Sequence, residues 1–140
     1  MLMMWTENLS VGVKAFDDDH KLLIRMINEL HGVLQDVDAE GKIPPEEIEI
    51  ALHRLENYIR SHCNHEEVAM AKTGYVELEE HKQEHAKLAS MIAEMSWRFQ
   101  GSTDPTNAGE IMQFIYDWVT NHINVTDKKF TKHLNTMGIY

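Results

Sequence analysis

The segment IEIALHRLENYIRSHCNHE, residues 48–66, decides the fold. Its apolar positions Ile48, Leu52, Leu55 and Ile59 run on into His62 and Glu66, in steps of 4, 3, 4, 3 and 4. That rhythm is the inward stripe of an amphipathic helix, and strand alternation would not produce it. The stripe begins apolar and ends in an imidazole and a carboxylate. Burying an unpaired polar group costs roughly 1–3 kcal/mol, and an unpaired charge costs more. A glutamate on that face therefore needs a compensating partner from elsewhere in the chain.

The same rhythm recurs on either side. Breaks at Gly41-Lys42-Ile43-Pro44-Pro45, at Thr73-Gly74 and at Gly101-Ser102-Thr103-Asp104-Pro105 leave four long segments after an N-terminal arm reaching about Phe16. The first helix is expected from about Asp18 to Asp38, with Asp17 as its N-cap and His20, Ile24, Ile27, His31 and Leu34 inward. The second follows Pro44-Pro45 and stops at Gly74. The third spans about Glu77 to Phe99, with the stripe Leu78, His81, His85, Leu88, Ile92 and Met95. The fourth opens at Asp104-Pro105 and carries Ile111, Ile115, Trp118 and His122. Four such helices with short loops predict an all-α, antiparallel up-down four-helix bundle, with residues 1–140 as one domain.

Composition narrows the function. The chain has 140 residues, 13 Lys plus Arg against 23 Asp plus Glu, and a formal net charge of −10. Nucleic acid would be repelled by such a surface. A single cysteine, Cys63, excludes an internal disulfide framework and a cysteine-rich zinc site. No apolar run approaches the roughly 20 residues of a membrane helix. Residues 1–10 lack the features of a signal peptide, so the expected location is cytoplasmic. The unusual count is nine histidines.

In an antiparallel bundle, the late second helix lies beside the early third, the start of the first and the end of the fourth. His20, His62, Glu66, His81, His85 and His122 therefore converge near one end. The His62/Glu66 and His81/His85 pairs are each spaced i,i+4 on one face. Five histidines exceed the needs of one ordinary site and point to two metal ions, which need bridging anions. Imidazole suits iron, zinc, copper or nickel, and carboxylates add hard ligands. Glu66 is one bridge and Asp127 the best second candidate. Five residues turn an ideal helix by about 500°, which leaves Asp127 about 140° away from the His122 face. The reading therefore requires a π-type widening, or the end of the helix, between them.

At these residues the chain resembles the hemerythrins, in their single-domain bacterial form. The matching motifs are Asp19-His20-Lys21, His62-x-x-x-Glu66, His81-x-x-x-His85 and His122-x-x-x-x-Asp127, and they extend over nearly the whole chain. The resemblance implies a non-haem di-iron centre. His81, His85 and His122 would hold one iron and His20 and His62 the other, with Glu66, Asp127 and an oxo or hydroxo group bridging them. It leaves one coordination position open, where dioxygen would bind. Ile24, Trp118 and Val119 are the residues expected to wall that oxygen pocket. Val119 stands where the family often has Leu, and Cys63 where it commonly has an aromatic residue.

The expected function is reversible oxygen binding for transport, storage or delivery, with no catalysis. Five neutral imidazoles and two carboxylates supply less negative charge than the donor sets of di-iron oxidases. The partners are dioxygen and an oxygen-consuming client protein, and the chain is expected to be a monomer. The alternatives are an oxygen or redox sensor, or a di-iron enzyme that detoxifies peroxide or nitric oxide. Of the other residues, His31 reads as core or half-buried, and His53, His65 and His133 as surface groups. Cys63 reads as packing, Trp97 and Phe99 as core or helix-end packing, and Asp17-Asp18-Asp19 as a cap for the first helix.

Overall fold

The computed structural model describes residues 2–43, 45–99 and 108–140. A 3-10 turn at Glu7–Leu9 precedes α1 (Lys14–Gln35), α2 (Pro45–Thr73), α3 (Leu78–Phe99) and α4 (Ala108–Asn121). A π-helical turn, His122–Asp127, then leads into α5 (Lys128–Thr136). Asn121 and Lys128 keep helical backbone angles, so α4, the π turn and α5 run on without a break. The result is the expected all-α bundle of four antiparallel rods, with no strand among the described residues. The breaks expected at residues 101–105 and the opening of the fourth helix at Asp104-Pro105 lie outside the described residues, as does Pro44.

Most positions of the stripes read from the sequence are buried, while His31, Leu78 and Trp118 are half-buried and the Ile111 side chain lies outside the described residues. Ile27 and Leu30 from α1, Ile48 and Leu55 from α2, Ile92 from α3 and Ile115 from α4 meet in one core. Burying each aliphatic side chain contributes about 1.5–3 kcal/mol. Phe16, Tyr75 and Phe130 close the end of the core nearest the polar side chains, with ring centroids 5.3–5.7 Å apart. Gly74 (φ +67°) ends α2 as expected, and the Tyr75 N–H donates back to the Met70 carbonyl at 3.0 Å.

Several local expectations are corrected. Asp17 is not the N-cap of the first helix, which starts at Lys14 after an extended Val13. The Asp17 carboxylate instead accepts the Ser10 hydroxyl at 2.6 Å and the Val11 N–H at 2.8 Å, so it ties the arm to the first turn. Val11, Val13 and Phe16 are buried, and their packing carries the helix earlier than the acidic run implied. Asp38 lies beyond α1 and closes a turn by accepting the Glu40 and Lys42 N–H groups. Trp97 is 75% exposed rather than packed, because two residues beyond Met95 it lies roughly 200° around the helix from the stripe. His133 is half-buried, not a surface group: its Nε2–H donates to the Thr73 carbonyl at 3.1 Å, and its ring lies 5.2 Å from Tyr75. His31 is half-buried and Cys63 is buried, as expected.

Candidate metal centre

All seven predicted side chains arrive at one place, none of them more than 5% exposed. His20 comes from α1, His62 and Glu66 from α2, and His81 and His85 from α3. His122 and Asp127 stand at the two ends of the π turn. That turn is the widening the spacing demanded. An i→i+5 ladder brings five residues close to one full turn, so both side chains face inward.

The two carboxylates divide their oxygens between two sets of imidazoles. Glu66 Oε1 lies 2.5 Å from His62 Nε2 and 3.6 Å from His20 Nε2. Its Oε2 lies 3.0 Å from His81 Nε2 and 3.7 Å from His85 Nε2. Asp127 Oδ2 lies 3.0 Å from His20 Nε2. Its Oδ1 lies 3.0 Å from His81 Nε2 and 2.9 Å from His122 Nε2. Two groups follow, Glu66-His81-His85-His122-Asp127 and His20-His62-Glu66-Asp127, in each of which the donor atoms lie within 4.8 Å of one another. Glu66 and Asp127 belong to both.

A cation fits this arrangement better than hydrogen bonding does. The Nε2 atoms of His20, His81, His85 and His122 and all four carboxylate oxygens are buried without a hydrogen-bond partner. Buried polar atoms are otherwise almost always paired. Ions between the facing nitrogens and oxygens would satisfy these atoms together, and imidazole with carboxylate suits a divalent transition metal. Without an ion, burial pushes each imidazole towards neutrality, but the carboxylates outweigh it at four positions. His20 and His81 are shifted upward, and His62 and His122 are pushed up to about 10. His85, farther from both carboxylates, is dominated by burial and falls to about 4. Burial opposes ionisation of Glu66 and Asp127, yet the surrounding imidazoles hold both carboxyls low.

A second ring of acidic residues orients the imidazoles, and sequence reading did not identify it. Asp19 Oδ2 accepts from His62 Nδ1 at 3.0 Å and from His65 Nδ1 at 2.7 Å, and its Oδ1 accepts the Tyr58 hydroxyl at 3.2 Å. Glu84 Oε2 accepts from His122 Nδ1 at 2.8 Å and from the Thr126 hydroxyl at 2.7 Å. The hydrogen bond from His122 is the main cause of the low Glu84 value of about 2. Such partners fix which nitrogen faces a metal and raise the basicity of the ligand. A signal was present: Asp19 precedes His20 and Glu84 precedes His85. A carboxylate one residue from an inward histidine sits about 100° around the helix and reaches the neighbouring helix.

Beside the imidazoles is a small space of about 10 Å³. That is about the minimum for a single small occupant. Leu23, Leu88, Trp118, Val119 and Ile123 form its apolar side, and Cys63 also lines it. Two of the expected wall residues, Trp118 and Val119, are there. Ile24 is buried but does not line the space, and Leu23, one residue earlier on α1, does. The Trp118 indole lies nearly flat on the His122 ring, 4.7 Å away with 14° between the planes.

Comparison with known proteins places this geometry among related chains. Residues 11–134 match the hemerythrin HHE cation binding domain. The chain is 35% identical to a bacteriohemerythrin of Methylococcus capsulatus over 130 residues, which span 92% of this chain and 94% of that one. It is 29% identical to a bacteriohemerythrin of Stenotrophomonas maltophilia, covering 96% and 85% of the two chains. A crystal structure of wild-type hemerythrin superposes with a TM-score of 0.79 at 30% identity, over 93% of this chain and 95% of that one.

Proposed function

Since the chain belongs to the hemerythrin HHE family, we propose that residues 1–140 form one domain that binds dioxygen reversibly at two iron ions. The observation that carries this reading is the splitting of both carboxylates between two imidazole sets. Three histidines and two carboxylate oxygens face one metal position, and two histidines and two oxygens face the other. An ion at the second position would have one protein ligand fewer, leaving it a place for an exogenous ligand. Two ferrous ions, if held there, would supply the electrons for reversible binding of dioxygen.

The protein's part is to hold, orient and exclude. His20 and His62 would hold one ion, and His81, His85 and His122 the other, while Glu66 and Asp127, present in both groups, would serve each. Asp19 and Glu84 fix the rings of His62 and His122. The apolar side of the cavity, with Val119 and Trp118, keeps water and proton donors away from the open position. That favours release of oxygen over its reduction, and transport, storage or delivery over turnover. We further propose a cytoplasmic monomer that supplies an oxygen-consuming client. Among the described residues no helix is long and apolar enough to cross a membrane.

The test is an optical cycle of reduction, exposure to oxygen and removal of oxygen, together with metal analysis. The expected result is two irons per chain and a colour that appears with oxygen and bleaches without it. His62→Ala should abolish the colour, and His53→Ala, on the exposed face of α2, should leave it unchanged. One metal per chain, or irreversible oxidation with no bleachable form, overturns the reading.

A further inference from the structure

The surface carries a groove of about 330 Å³ between α2 and α3. Its walls include Ile59 and Cys63 from α2 and Ala86, Ala89 and Ile92 from α3, and its floor reaches His85. Cys63 and His85 also line the space beside the imidazoles. These two side chains therefore stand between the surface groove and the inner space, and of the two Cys63 is the smaller and is not a candidate ligand. We propose that small uncharged molecules of diatomic size reach the metal centre through this groove, and that the Cys63 side chain is the gate. This rests on the oxygen-binding reading above.

The size of the barrier favours this route over the alternative. A second surface groove, lined by Lys87, Met91 and Phe114, ends on Trp118, which also lines the cavity. Passage there requires moving an indole that is stacked on His122. Cys63 has the smallest side chain lining the cavity, with one heavy atom beyond Cβ and a single torsion. A rotamer change of that kind takes picoseconds to nanoseconds where the side chain has room. Ala86 and Ala89 keep the outer wall of the groove low. A gate lies equally on the way in and the way out, so it changes both rates and leaves affinity alone.

The experiment uses iron-loaded protein in wild-type form and as Ala89→Phe, Cys63→Leu, Cys63→Ala and Trp118→Phe. Ala89 is exposed and lines this groove but not the other, so Ala89→Phe obstructs the route away from every metal ligand. Ala89→Phe should slow oxygen association and dissociation by about tenfold with an unchanged Kd, Cys63→Leu should slow both rates, and Cys63→Ala should speed both. Crystals of the Cys63→Ala variant pressurised with xenon should show xenon in the neck between groove and cavity. Labelling of Cys63 by methyl methanethiosulfonate should fall about tenfold in Ala89→Phe. The proposal is overturned if Ala89→Phe and Cys63→Leu leave both rates unchanged. It is also overturned if Trp118→Phe alone alters them, or if xenon enters from the Trp118 side. Xenon and thiol labelling need no oxygen chemistry. A chain that forms no oxygenated colour therefore refutes the proposed function, while these two readouts still decide the route.

Discussion

Asp19→Ala tests the outer ring of carboxylates more sharply than any ligand substitution, because it removes orientation without removing a metal donor. One oxygen, Oδ2, accepts from both His62 and His65, and the Asp19 side chain is only 23% exposed. Loss of such a partner costs about 10–100-fold in metal affinity, or about 1.4–2.7 kcal/mol. Asp19→Ala should fall at the upper end, near 100-fold, because little water reaches His62 to replace the lost acceptor. Asp19→Asn keeps an acceptor oxygen but loses the charge, which about halves each bond, so a loss near tenfold is expected. Glu84→Ala should also lose about tenfold, since the Glu84 side chain is 39% exposed and water can take its place beside His122. Tyr58→Phe, which removes only the hydroxyl donated to Asp19, should stay within about twofold of wild type. The assay is anaerobic competition for ferrous iron with a chromophoric chelator, with circular dichroism confirming that each variant is folded. An Asp19→Ala affinity within threefold of wild type, or an Asp19→Asn loss larger than that of Asp19→Ala, would refute the reasoning.

Three further outcomes follow from the electrostatics and from the apolar cavity. His62 and His122, held protonated up to about 10 in the metal-free chain, must lose their protons to ligate, whereas His85, at about 4, is already neutral. Ferrous iron should therefore bind more tightly as pH rises from 6 to 9 and release protons as it binds, which indicator-dye titration measures. For the metal-free fold the sign is the opposite. The stabilisation from these raised values is complete below the ordinary 6.5 and is lost as pH climbs towards about 10, so its thermal midpoint should fall over that window. Val119→Thr places a hydroxyl at a 1%-exposed position on the cavity wall, at a cost of about 1–3 kcal/mol if unpaired. It should lower the denaturation midpoint and shorten the half-life of the oxygenated colour; an unchanged half-life would remove the wall from the account.

What the sequence made legible, and what it hid, both trace to helical phase. Positions three and four residues apart share a face whatever surrounds them, so the stripe through Ile59, His62 and Glu66 could be extended across four helices without knowing a single contact. The same arithmetic exposed its own exception. His122 and Asp127 are out of phase in a regular helix, so reading Asp127 as a second carboxylate ligand required a local widening. A π turn spans His122–Asp127 and brings both side chains inward. Phase is silent about which neighbouring helix a flanking residue meets. Asp19, Tyr58 and Glu84 find their partners 38 to 46 residues away, at distances set by helix packing. It is also silent at helix ends, where Asp17 binds the arm and the helix begins three residues before it. Leu23 replaces Ile24 on the cavity wall for a related reason. Both face inward, and only the packing of α1 against the imidazoles decides which of them reaches the space. The candidate donors other than Asp127 follow from periodicity within helices, whereas the carboxylates around them depend on distances between helices, and it is there that the Asp19 and Glu84 substitutions act.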